Sequence, residues 1–111
     1  MEIVIIGSGN LATQLSLALS EAGHHIGQVY SRTEAHASEL AAKLGCRYTT
    51  DISQISAEAE IYIISVKDDA IGSLADAVGK RAKNAIVVHT AGSIGMDVLK
   101  GKAFHYGVLY L

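Results

Sequence analysis

Apolar positions in this chain switch between two rhythms. Short β-rich runs at residues 2–6, 25–31, 47–49, 61–65, 85–89 and 103–106 alternate with stretches whose apolar residues recur every three or four positions. Runs such as Ile3-Val4-Ile5-Ile6 are continuous rather than alternating, the pattern of strands covered on both faces. The first helical stretch, residues 10–22, places Leu11, Leu15, Ala18, Leu19 and Ala22 on one side and stops at Gly23. The second opens with Thr33 as N-cap and Glu34 in its first turn. It turns Ala37, Leu40, Ala41 and Leu44 inward and ends at Gly45. Asp51-Ile52-Ser53-Gln54 has the form of a capping box before a short helix. A further helix at 69–78 carries Ile71, Leu74, Ala75 and Val78, and a helical turn near 94–99 precedes the last strand. With right-handed crossovers, this alternation predicts one α/β domain: a doubly wound, open, mainly parallel sheet of about six strands in the order 3-2-1-4-5-6.

The junction between the first strand and first helix carries the sharpest motif, Gly7-Ser8-Gly9-Asn10-Leu11-Ala12. A G-x-G-x-x-A loop in this context is the fingerprint of a Rossmann dinucleotide site. The first glycine permits the turn, the second lets backbone approach a pyrophosphate, and the small sixth residue lets the helix pack closely on the sheet. The helix N-terminus then offers free N–H groups and about half a positive charge to the phosphates. Two rivals exist: a glycine turn serving only βα packing, and a methyltransferase loop. The latter favours G-x-G-x-G, whereas the fifth position here is Leu11.

About 20 residues beyond such a loop, NAD-preferring folds place an acid on the adenosine ribose. This chain has Tyr30-Ser31-Arg32-Thr33 there. A hydroxyl followed by a guanidinium favours a 2′-phosphate, so the expected cofactor is NADP(H). The bland alternative is a solvated arginine at the start of the second helix.

Composition narrows the field further. Half the residues are apolar and the net charge is −2, which points away from disorder and from nucleic acid as partner. No apolar run approaches the roughly 18 residues of a membrane span. The start, Met1 to Gly7, lacks the basic region of a secretory signal. A single cysteine, Cys46, excludes an internal disulfide and fits a reducing, cytoplasmic setting, where it reads as a small buried hydrophobe.

The glycine loop, Ser31-Arg32-Thr33, Ser65-Val66-Lys67 and His89-Thr90-Ala91-Gly92-Ser93, in that order, resemble the N-terminal domain of pyrroline-5-carboxylate reductase-like proteins. The deazaflavin-dependent NADP oxidoreductases are close to that group, within the wider 6-phosphogluconate dehydrogenase-like superfamily. The resemblance covers essentially the whole chain. It implies that Val66-Lys67 passes over the cofactor toward the nicotinamide ribose and that the loop from His89, with Thr90, lies beside the nicotinamide. The reductases follow the lysine with proline, where this chain has Asp68, and the tail from Phe104 to Tyr110 departs enough that proline biosynthesis is not assigned. Such enzymes continue into a helical C-terminal domain that makes the dimer and much of the substrate pocket. The resemblance implies that this domain is absent from the present chain and that the isolated domain is inactive.

Several residues keep two readings. Lys67 either contacts the cofactor or solvates a loop, and His89 is either a core histidine or a neighbour of the nicotinamide. Ser93 suits an N-cap, His105 a structural role, and Asp68-Asp69 a cap with a first-turn acid. His24 and His25 suit an exposed turn and strand start, and no metal cluster or catalytic residue stands out. The functional expectation is the NADP(H) domain of an oxidoreductase passing a hydride between nicotinamide and a small imine or carbonyl compound. The alternative is a stand-alone nucleotide-sensing module. Val108 to Leu111, lying past the expected last strand, are expected to be uncovered and to drive homo-oligomerisation.

Overall fold

The computed structural model describes residues 2–66, 68–82, 85–90 and 105–108. Within them every expected strand is present. In chain order the elements are β1 (Glu2–Ile6), α1 (Asn10–Glu21), β2 (His25–Tyr30), α2 (Glu34–Leu44), β3 (Arg47–Thr49), a 3-10 turn (Ile52–Gln54), β4 (Ile61–Ile64), α3 (Asp68–Arg81), β5 (Ile86–His89) and β6 (His105–Val108). All neighbouring strands pair in parallel in the order β3-β2-β1-β4-β5-β6, as the alternation predicts. The strand order reverses between β1 and β4, and this switch point opens a crevice at their C-terminal ends, where such sheets receive ligands.

Two apolar layers sandwich the sheet, and the side-chain alternation of β1 divides them. Ile3 and Ile5 face α1 and α2 with Ala12, Ile26, Val29, Leu40 and Ile63. Val4 and Ile6 face α3 with Tyr62, Ile64, Ile71, Ala75 and Val78. Ile26 and Val29 share a face although three residues apart, because the register slips beside Gly27, where Ile3 pairs with Ile26 but Val4 with Gln28. The same bulge turns Gln28 toward the turn before β4. There its amide donates to the Gln54 carbonyl (3.3 Å) and its carbonyl accepts from Ser56 N (2.7 Å), so a buried polar side chain is satisfied.

Three expectations need correction. In α1 the inward residues are Ala12, Leu15, Ser16 and Leu19, while Leu11, Ala18 and Ala22 are exposed. Ala12 must meet the sheet, and that rotates Leu11 outward. The predicted capping box is only half formed. The Asp51 carboxylate accepts from Ser53 N (3.0 Å), but Thr49 Oγ1 takes the Asp51 amide (3.1 Å), so Gln54 does not close the box. The last strand is His105–Val108, two residues later than expected, with Val108 opposite His89. Val108 is therefore part of the sheet and not beyond it. Residues 94–99 and 109–111, with the turn and tail assigned to them, lie outside the described residues.

Helix α3 runs a turn beyond its expected end. Arg81 Nε bonds the Ile55 carbonyl, and Ala82 N bonds Val78 O, tying the helix end to the turn before β4. The Tyr62 hydroxyl, in the same region, donates to Ser56 O and accepts from Ala59 N. Burial raises the Tyr62 phenol above its ordinary value, partly offset by the Ala59 amide and Arg81.

Candidate functional site

Gly7 and Gly9 stand two residues apart and meet opposite surroundings. Gly7 has φ +127°, and a Cβ there would stand 2.2 Å from the Ser65 carbonyl oxygen. Its amide bonds Tyr30 O (2.7 Å), so this glycine is locked between the ends of β2 and β4. Gly9 has ordinary extended backbone (φ −72°, ψ −174°) and nothing within 4 Å of a Cβ. The fold does not require glycine at 9, and the space it leaves open suits a bulky ligand against the backbone. Gly9 is also the N-cap of α1, with no side-chain cap bond and no acid in the first turn, so the helix end stays electropositive. Ala12 is buried against the sheet, as the third small position requires.

The ends of neighbouring strands gather around this loop. Ser8 Oγ and Ser31 Oγ are 2.7 Å apart, and Ser31 Oγ also accepts from Thr33 N (3.3 Å). Ser31 is only 6% exposed, so its hydroxyl ties the glycine loop to the β2–α2 turn and does not face solvent. Arg32 and Thr33 are exposed; Thr33 is the N-cap of α2, as expected, but its hydroxyl makes no cap bond. Asn10 and Leu11 are exposed beside them, Leu11 at 41%. Val66 packs toward Gly7 from the end of β4, with Cγ1 3.3 Å from where a Cβ would be. Thr90 Oγ1 donates to Ser65 Oγ (3.1 Å) at the end of β5, closing that side.

His89 is fully buried at the end of β5, paired with Ile64 of β4 and Val108 of β6. Lys67 and Ser93 lie outside the described residues. Among the described residues no cluster of His, Cys, Asp or Glu suits a metal ion, and no helix is long and apolar enough to cross a membrane. Cys46 is half buried beside the α1/α2 layer, and burial raises its thiol pKa.

A cleft of about 310 Å³ continues from the glycine loop between α1 and α2. Ser8, Gly9, Asn10 and Thr13 form one wall, and His36, Glu39, Leu40 and Lys43 form the other, with Glu39 and Lys43 paired at 3.6 Å. Sequence reasoning passed over Thr13 and His36. The available signal was helical spacing: His36, Leu40 and Lys43 follow one another at four- and three-residue steps from the turn that holds Arg32.

Comparison with known proteins agrees with this geometry. Against a solved protein from Bacteroides fragilis described as an NADP oxidoreductase, the chain is 49% identical, with TM-score 0.94 over 98% of its length. A pyrroline-5-carboxylate reductase from Coxiella burnetii superposes with TM-score 0.80 over 97% of the chain, at 18% identity. An imine reductase variant from Myxococcus stipitatus, solved with NAD+, gives TM-score 0.76 over 95%, at 21% identity. These last two share the fold. The chain spans 43%, 42% and 38% of these three structures, respectively. No curated protein sequence matches. Residues 2–92 match the family described as NADP oxidoreductase, coenzyme F420-dependent. The chain belongs to that family and is its Rossmann domain, whose cofactor is NADP(H).

Proposed function

We propose that Gly7–Ala12 holds the pyrophosphate of NADP(H), that Arg32 selects the 2′-phosphate, and that the crevice beyond presents the nicotinamide to a small imine or carbonyl compound. The observation that carries this reading is the open space at Gly9, at an uncapped helix N-terminus, where the fold itself makes no demand for glycine. Backbone amides of Gly9 to Ala12 would bond phosphate oxygens there. Ser8, Ser31 and Thr33 hold the loop and the turn in register, and Arg32 presents its planar fork of donors at the exposed rim. Val66 at the end of β4 and Thr90 after β5 would line the nicotinamide end, and the resemblance adds Lys67 and His89 to them. NADP(H) supplies the hydride chemistry, and the chain orients it.

The imine or carbonyl class rests on the resemblance to pyrroline-5-carboxylate reductase-like proteins. Because the chain spans less than half of the structures it matches, the substrate pocket is completed by a further helical domain in this reading. Such a domain would also bring two copies together. The test is isothermal titration of the chain with both dinucleotides. NADPH binding several-fold tighter than NADH, with Arg32→Ala weakening NADPH far more than NADH, is expected. Equal affinities in the unaltered chain would overturn the assignment of Arg32.

A further inference from the structure

A parallel sheet of this kind is covered by helices on both faces. One face of β4 and β5 has its helix, α3, whose Ile71, Ala75 and Val78 pack with Ile64 and Val87. The other face has none among the described residues. Helix α2 lies along one flank of α1, across the cleft from Asn10 and Thr13. Leu11, Ala18 and Ala22 fall on the opposite flank, exposed, and overlook β4. Below them Ile61 pairs with Ile86, and Ile63 with Val88, giving an apolar floor. Ile61 and Val88 are half-buried, and Ile86 is 43% exposed. Among the described residues three large apolar side chains stay exposed, and two of them, Leu11 and Ile86, border this one corner.

We infer that this corner is the docking slot for one α-helix of a further domain, which lies on β4 and β5 beside α1 and reaches the nicotinamide end of the crevice. The inference rests on the reading above that a helical domain completes the substrate pocket. A helix is about 10 Å across, so one laid on the floor stands level with α1 and meets its flank. Ala18 and Ala22 are small enough to let the two helices approach closely. The floor runs up to Ser65 and Thr90, two positions beyond Ile63 and Val88, whose hydroxyls bond at 3.1 Å. A helix seated there ends at the crevice and can present side chains to a substrate. A second copy of this chain is a poorer occupant. Its sheet cannot reach the floor past α1, and its own α1 turns Gln14 and Glu21 outward, polar side chains that an apolar bed would desolvate. The Bacteroides fragilis oxidoreductase has the length to supply the helix, because this chain spans only 43% of it.

Thiol labelling tests the slot, with Cys46→Ser removing the native cysteine. Ala18→Cys and Ile86→Cys probe the slot, and Ser38→Cys probes an exposed position on α2 as a control. In this chain by itself all three should react with a maleimide at rates within about threefold of one another, at every protein concentration. Slow labelling at 18 and 86 that deepens with concentration would show a second copy on the face and overturn the inference. Slow labelling at every concentration would show the slot closed within the chain and overturn it too, with no other molecule needed. The chain is then joined to the part of the Bacteroides fragilis protein outside the matched region, in the order of that protein. This fusion should slow both slot thiols about tenfold or more and leave Ser38→Cys unchanged. Unchanged slot rates in a folded fusion would overturn the inference. If such a fusion still reduces 2-methyl-1-pyrroline with NADPH, a helical domain completes the pocket from another side and only the slot falls. If the slot is protected but neither that imine nor cyclohexanone is reduced, the slot stands and the imine or carbonyl reading falls.

Discussion

The glycine loop and the β2–α2 turn lie side by side, yet they are built by different means. The loop is made of backbone. Gly7 is pinned by its positive φ, its bond to Tyr30 O and the Ser65 carbonyl, while Gly9 leaves its side open. The turn is made of side chains: a buried Ser31 that fastens it, an exposed Arg32, and a Thr33 whose hydroxyl does not cap the helix. In the function proposed above, a pyrophosphate common to all such dinucleotides would be met by fixed backbone geometry, and the group that differs between them by replaceable side chains. Holding a dinucleotide and choosing one are thus separable properties of adjacent segments, and substitutions should pull them apart.

The largest effect is expected at the fixed end of the loop. Gly7→Ala forces a Cβ into the Ser65 carbonyl at a backbone angle suited to glycine, and should cost about 3 kcal/mol or more. Chemical denaturation would read this as loss of the native baseline or a large fall in midpoint. A variant as stable as the unaltered chain would show that the loop is not locked as described.

Arg32→Ala comes next and acts on choice alone. The side chain is exposed, so the fold should be unchanged, while NADPH binding falls about ten- to hundredfold and NADH binding hardly moves. Equal losses for both ligands, measured by titration, would erase the contrast between loop and turn.

A control with a smaller effect lies away from both segments. Tyr62→Phe leaves Ala59 N and Ser56 O without their partner and should lower stability by about 1–2 kcal/mol. The NADPH-to-NADH ratio should stay the same. The phenol's folded pKa is raised by burial, so its contribution is complete below the ordinary value of 10.0 and is lost as pH rises through the folded value. Denaturation midpoints of the unaltered chain should therefore fall on the alkaline side, and Tyr62→Phe should flatten that fall. Identical alkaline profiles would remove Tyr62 as the cause.

Much of this was readable from residue order, because it depends on neighbours in sequence. The continuous apolar runs of β1 and β4, the Gly45 helix stop and the G-x-G-x-x-A loop are local signals, and each appears where expected. What was not readable depends on contacts across the fold. The outward turn of Leu11 follows from Ala12 meeting the sheet, and the bulge at Gly27 follows from pairing with β1. The extra turn of α3 depends on Arg81 reaching Ile55, and the placement of β6 on pairing with β5. At the site the same division holds. Gly7, Gly9 and Arg32 announced themselves by type and spacing. The commitment of Ser31 to Ser8, 23 residues away, and the approach of His36 to the glycine loop required the folded chain.

The central claim is that the space beside Gly9 belongs to a dinucleotide and not to the fold. Gly9→Val tests it most directly, with NADPH titration and thermal denaturation run on the same preparation. Because a Cβ at this position meets nothing within 4 Å, stability should stay within about 1 kcal/mol of the unaltered chain while NADPH binding disappears. A stable Gly9→Val chain that binds NADPH normally would contradict the account, because the loop would then not be where the phosphates sit.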